Sequence, residues 1–155
     1  MPKTDKRTIE TLQALNQLLK GELSAVDTYS TALTVVSDDE DKRQDLRDCQ
    51  ASHENRVLRL CAEIMERGGE PAQASGLWGS FASLIERGAS AVGPRMVIGA
   101  LEAGESHGLK EYQEALPKLD MPARSVVCAD LYPQQVRTHS IVATLKTTMA
   151  APVIG

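Results

Sequence analysis

Aromatic side chains are scarce in this sequence: one Phe, one Trp and three Tyr make up 3% of 155 residues. A core built without them must come from Leu, Val, Ile, Ala and Met, a palette that favours helices over a sheet. Cysteine is sparse too. Cys49, Cys61 and Cys128 are odd in number and lack C-x-x-C spacing, which argues against a disulfide framework or a thiolate zinc site, so they read as small buried apolar residues. No apolar run approaches the roughly 20 residues needed to span a bilayer, and the polar opening MPKTDKRT does not read as a secretory signal. No membrane association is expected, and the cytoplasm is the default location. With a net charge of -4 and basic residues spread along the chain, the sequence also lacks the basic footprint of a nucleic-acid binder. What remains, 42% hydrophobic and 25% charged, is ordinary for one soluble globular domain over residues 1–155.

Two stretches copy one another. Residues 21–33 read GELSAVDTYSTAL and residues 104–116 read GESHGLKEYQEAL, sharing G-E-x6-Y-x2-A-L. Each copy lies in an amphipathic helix and puts its glutamate on the apolar stripe. Glu22 falls among Leu12, Leu15, Leu19, Val26, Tyr29 and Leu33, and Glu105 among Ile98, Leu101, Leu109, Tyr112 and Leu116. A core-facing carboxylate is costly unless it is hydrogen-bonded, ion-paired or metal-bound. Something must satisfy both.

The hydrophobic periodicity predicts four helices, over about 5–36, 38–67, 94–116 and 121–147. Ser37 and Glu40 are spaced as a capping box for the second, and Gly68-Gly69 followed by Pro71 end it. Pro94 suits the first turn of the third helix, and Asp120 can cap the fourth. Pro133 inside the fourth should free the carbonyl of Ala129 and kink the axis. Residues 69–93 are rich in small residues, and only 77–87 suggests a short helix. So long a segment fits a crossover along the bundle rather than a hairpin, with Trp78 and Phe81 as a lid or as a surface for self-association. No stretch keeps a period of two. The expected fold is an all-α four-helix bundle of two antiparallel pairs.

Depth in such a bundle can be counted from each turn. Glu22 precedes Ser37 by as much as His53 follows it, to within one residue, so at about 1.5 Å per residue the two share a level. In the second pair Glu105 matches Gln135 and Glu102 matches His139. Gln50, one turn before His53, is expected to point the same way. The converging set is therefore Glu22, Gln50, His53, Glu102, Glu105, Gln135 and His139. Carboxylates and imidazoles from facing helices hold metal ions in bundle cores, but the same groups can satisfy each other as Glu–His pairs, with Tyr29 and Tyr112 supplying hydroxyls. His107, off the stripe, is expected at the surface.

These residues resemble the ferritin-like superfamily, and most closely a family of short bacterial ferritin-like proteins of unknown function. The resemblance is carried by Gly21-Glu22 with Tyr29 and Ala32, by Gly68-Gly69-Glu70-Pro71 with Ser75-Gly76, and by Glu102, Gly104-Glu105 and Tyr112-Gln113-Glu114-Ala115-Leu116. It implies a ferritin-like bundle with a long crossover. Di-iron members take one Glu from each of two helices and a Glu-x-x-His from each of the others. Glu22 matches the first and Glu105 or Glu102 the second, but Gln50 precedes His53 and Val136 precedes His139 where that pattern has glutamates.

Three functional classes remain. Two glutamates neutralise one divalent ion but not two, so the first is a protein holding one ion of iron, manganese or zinc. A metal-free structural or interaction bundle with buried Glu–His pairs is equally defensible, and a divergent di-iron redox protein is the third. Efficient ferroxidase activity is not expected. Protein partners and a homo-oligomeric state stay open.

Overall fold

The computed structural model describes residues 5–73, 87–88, 91 and 93–150, and among them there is no strand. Helix α1 spans Lys6–Val35 and α2 spans Glu40–Glu66. Helix α3 is Pro94–Ala115, extended by a 3-10 turn over Leu116–Lys118. The fourth rod is composite: α4 over Met121–Val126, a π turn over Val127–Leu131, and α5 over Tyr132–Ala150.

The helix ends follow local chemistry. Asp5 caps α1 by accepting from the N–H of Arg7, and Asp120 caps α4 by accepting from that of Ala123. The cap of α2 is Asp39, which accepts from the N–H of Lys42, and not Ser37 as the capping-box spacing suggested. Asp39 is one of four successive acidic residues, Asp38 to Asp41, and whichever side chain meets a free N–H becomes the cap. At the other end of α2 the N–H of Gly69 reaches the carbonyl of Ile64, and that of Gly68 reaches Met65, with Gly68 at φ 76°. This left-handed closure is where glycine is required.

Pro133 stands in the first turn of α5, just after the π turn. Ala123, Val127, Leu131 and Gln135 are all buried at steps of four, wider than an α-helix keeps on one face. The π turn absorbs the surplus, with the N–H of Tyr132 reaching back to Val127, and it ends where proline has no N–H to offer. The expected disturbance is thus a widened turn upstream of the proline.

Helix α1 packs on α2 and α3, and α5 packs on α3 and α2, closing a four-helix ring. Arg43 ties the α1–α2 turn by donating to the carbonyls of Leu33 and Val36. Arg7 donates to the carbonyl of Leu119, and Thr11 accepts from the N–H of Asp120, so α1 begins where α3 ends. The expected helix over 77–87 and the lid residues Trp78 and Phe81 fall outside the described residues, Arg87 apart. Cys49 is buried as expected, but Cys61 is only half-buried and Cys128 is exposed on the π turn.

The apolar core is not continuous. One half gathers Ala25, Tyr29, Leu46, Cys49, Leu101 and Val142, and the other gathers Leu15, Leu19, Leu60, Tyr112, Val127 and Leu131. Between them, at the level of residues 22, 53–56, 105 and 135–138, lies a buried polar layer.

Candidate functional site

The repeat builds the frame of this layer. Glu22 and Glu105 are buried on α1 and α3, and each is met by the tyrosine of the other copy. Tyr112 Oη donates to Glu22 Oε1 at 2.7 Å, and Tyr29 Oη to Glu105 Oε1 at 2.5 Å. The two copies therefore satisfy each other across the α1–α3 interface.

His53 stands between the carboxylates, with Nδ1 2.6 Å from Glu22 Oε2 and Nε2 2.7 Å from Glu105 Oε1. A neutral imidazole has one N–H, so an anion against each nitrogen calls for the doubly protonated ring. Burial alone would lower its pKa, but the Glu22 charge and the two carboxylate hydrogen bonds raise it above its ordinary value. Burial likewise pushes the Glu22 carboxyl up, and the charges of His53 and Arg56 more than reverse this, leaving it below its ordinary value.

Arg56 completes the layer. It is wholly buried, and its Nη1 donates to Glu22 Oε1 at 3.2 Å and also to Gln135 Oε1, its Nη2 to Thr138 Oγ1 at 3.1 Å and its Nε to the carbonyl of Ser52 at 3.3 Å. Gln135 and Thr138 pass this along, donating to Glu105 Oε2 at 2.8 and 2.9 Å. Gln135 fits because its partner helix has glycine opposite: a Cβ on Gly108 would lie 2.5 Å from Gln135 Nε2. Taken as two carboxylates, one guanidinium and one imidazolium, the layer is neutral, and every carboxylate oxygen accepts a hydrogen bond.

Of the seven residues expected to converge, Glu22, His53, Glu105 and Gln135 do. Gln50 does not: its amide donates to the carbonyl of Val26 at 3.0 Å and to Ser30 Oγ at 2.7 Å, outside the core. One helical turn is not a whole number of residues, and the three-residue step rotates Gln50 off the axis of His53. Glu102 and His139 form the pair that depth suggested, at 3.6 Å, but on the outer face of the α3–α5 seam with Ser106 and Lys146. Glu102 is half-buried there. Burial pushes its carboxyl up, and hydrogen bonds from Lys146 and Ser106 hold it below its ordinary value. His107 is 61% exposed, as expected.

A family model, Domain of unknown function (DUF2383), matches residues 10–118. The chain belongs to this family. No curated protein matches it. Among solved structures its fold is similar to one titled "Crystal structure of ferritin like, diiron-carboxylate proteins from Bacillus anthracis str. Ames", at 18% identity and a TM-score of 0.76, over 92% of this chain and 99% of that one. The ferritin-like bundle is thus the fold of this DUF2383 member.

Sequence reasoning passed over Arg56, the central cation. It lies one turn after His53 and on the same stripe as Leu46, Cys49 and Leu60, where the apolar Val57 beside it is the more obvious candidate for the core. Val57 is only partly buried. The signal was there in the three-residue step, but arginine is ordinarily assigned to solvent.

Proposed function

We propose that this protein is a ferritin-like bundle whose core needs no metal ion, and that it serves as a structural or interaction module. One observation carries the reading: Arg56, a permanent cation, is buried among Glu22, Gln135 and Thr138. The donor set does not fit a divalent ion. The carboxylates approach opposite edges of the His53 ring rather than a shared point, and among the described residues no three His, Cys, Asp or Glu side chains are grouped to hold an ion. With two buried glutamates already balanced by Arg56 and an imidazolium, an added ion would leave excess positive charge in a low-dielectric core. This goes against a di-iron centre, although the similar solved structure is titled a diiron-carboxylate protein.

A second reading, one ion of iron, manganese or zinc, is favoured by the closeness of Glu22, His53 and Glu105 and requires Arg56 to leave. Elemental analysis of protein purified without chelator from metal-supplemented medium separates the two. The expected result is far less than one ion per chain, with a melting temperature indifferent to chelator and no ferrous-iron oxidation above the protein-free control. One ion per chain, lost in Glu22→Gln, would establish the second reading instead.

A further inference from the structure

The seam between α1 and α3 opens to the surface as a cleft. Steps of three and four put Ala14, Gln17 and Leu18 on one face of α1, and the same steps put His107, Glu111, Glu114 and Lys118 on one face of α3 and its closing turn. Between these faces lies a cavity of about 170 Å³. Ala14, Leu18 and Ala115 are buried and line it with apolar surface, whereas Gln17, Glu114 and Lys118 are exposed around it. Pockets that enclose a small molecule or cofactor run to roughly 300–1,000 Å³. A cleft of this size suits one long side chain.

Glu111 gives the cleft its chemistry. Its side chain is 13% exposed, and Gly21 makes the room for it, because a Cβ there would lie 3.0 Å from Glu111 Oε1. The other shielded carboxylates Glu22, Glu63, Glu102 and Asp120 are each met by an arginine or lysine of the chain. Glu111 is not: its ion-pair contact is His107 Nε2 at 3.2 Å, on a ring that is 61% exposed and charged only when protonated, and among the described residues no lysine or arginine is paired with it. Burial raises the Glu111 carboxyl above its ordinary value, and the contacts from His107 and Gln17 do not reverse this. A shielded carboxylate without a full cation is costly to keep, and a cation arriving from outside would offset that cost.

We propose that this cleft takes the side chain of one arginine on a partner polypeptide, with its guanidinium against Glu111 and its methylene stem along Ala14, Leu18 and Ala115. Arginine matches the site better than lysine. Its planar fork donates to a carboxylate through two N–H groups and has further N–H groups for the Glu114 carboxylate and the Gln17 amide oxygen, and its weaker hydration lowers the loss on entry. The stem covers apolar surface that is otherwise wet. Lys118 and His107 beside the cleft disfavour a second cation, so a single arginine fits and a polybasic run does not. This deepens the reading of the protein as an interaction module and rests on it.

The test is titration of ¹⁵N-labelled protein of measured metal content with the peptide acetyl-Gly-Arg-Gly-amide, followed through the amide shifts of residues 14–18 and 107–118. One anchored side chain should bind in the millimolar range. The citrulline peptide, of the same shape without the charge, should not bind, and the lysine peptide should bind more weakly. Glu111→Gln should weaken the arginine peptide at least about tenfold, and Glu114→Gln about twofold to fivefold, with thermal melting of both variants close to wild type. No shifts at these amides, equal binding of the citrulline or lysine peptide, or unchanged binding by Glu111→Gln would overturn the proposal. Methylguanidinium binding as tightly as the peptide would overturn it too, by making the cleft a small-cation site. Metal in the core would overturn the metal-free reading and leave these outcomes as they stand, so the two fail separately.

Discussion

Arg56 Nη1 lies 3.2 Å from Glu22 Oε1, and both side chains are buried. This pair joins α2 to α1 in the layer that separates the two apolar halves of the core. Removing one partner of such a pair leaves the other charged and stranded. Arg56→Met should therefore destabilise the fold by about 3 to 5 kcal/mol, measured by urea denaturation. The double variant Arg56→Met/Glu22→Gln should lose clearly less than the sum of the singles, since the second change removes the stranded charge. A loss below about 1 kcal/mol for Arg56→Met would show that the guanidinium is not the counter-ion assigned here.

If Arg56 stands where a cation is needed, its removal should make the core receptive to one. Manganese or zinc should raise the melting temperature of Arg56→Met while leaving the wild type unchanged, because an ion bound only by the folded state stabilises by mass action. Equal response of the two proteins would count against this.

The layer should also set a pH optimum. The folded pKa of His53 is raised above 6.5, so its contribution is complete below about pH 6.5 and is lost as pH rises through the folded value. The folded pKa of Glu22 is lowered below 4.5, so its contribution is present above about pH 4.5 and is lost as pH falls through the folded value. Stability against urea should peak between these limits. His53→Gln should flatten the alkaline limb, and a wild-type profile already flat from about pH 6 to 9 would rule out the buried imidazolium.

Two glycines of α3 give opposite expectations. Gly99 has nothing within 4 Å of a built Cβ, so Gly99→Ala should stabilise by about 0.5 to 1 kcal/mol through helix propensity. Gly108→Ala would push against Gln135 Nε2 and lift its amide from Glu105, so it should cost about 1 to 3 kcal/mol despite the same propensity gain. Thermal denaturation of the two variants side by side checks both signs. Stabilisation by Gly108→Ala would mean that Gln135 has another place to go.

Much of the frame was written along the chain. Stripes at steps of three and four, Asp120, Pro94 and the paired glycines after α2 act within a turn or two, so the helices and their order follow from local chemistry alone. Counting residues from a turn also brought Glu22 to His53, Glu105 to Gln135 and Glu102 to His139, because rise per residue is nearly constant. Rotation about the axis is less forgiving. A small drift decides whether a side chain enters the core or the seam, which is why Gln50 and the Glu102–His139 pair point away from the layer. The widened turn at Val127–Leu131 arises where buried side chains on four helices must stay in step. Arg56 is buried only because Glu22, Gln135 and Thr138, distant in sequence, surround it with acceptors. The three-residue step from His53 puts Arg56 on the buried stripe, but a stripe alone does not make an arginine stable in the interior; the helices must first assemble and supply enough partners to offset the loss of water.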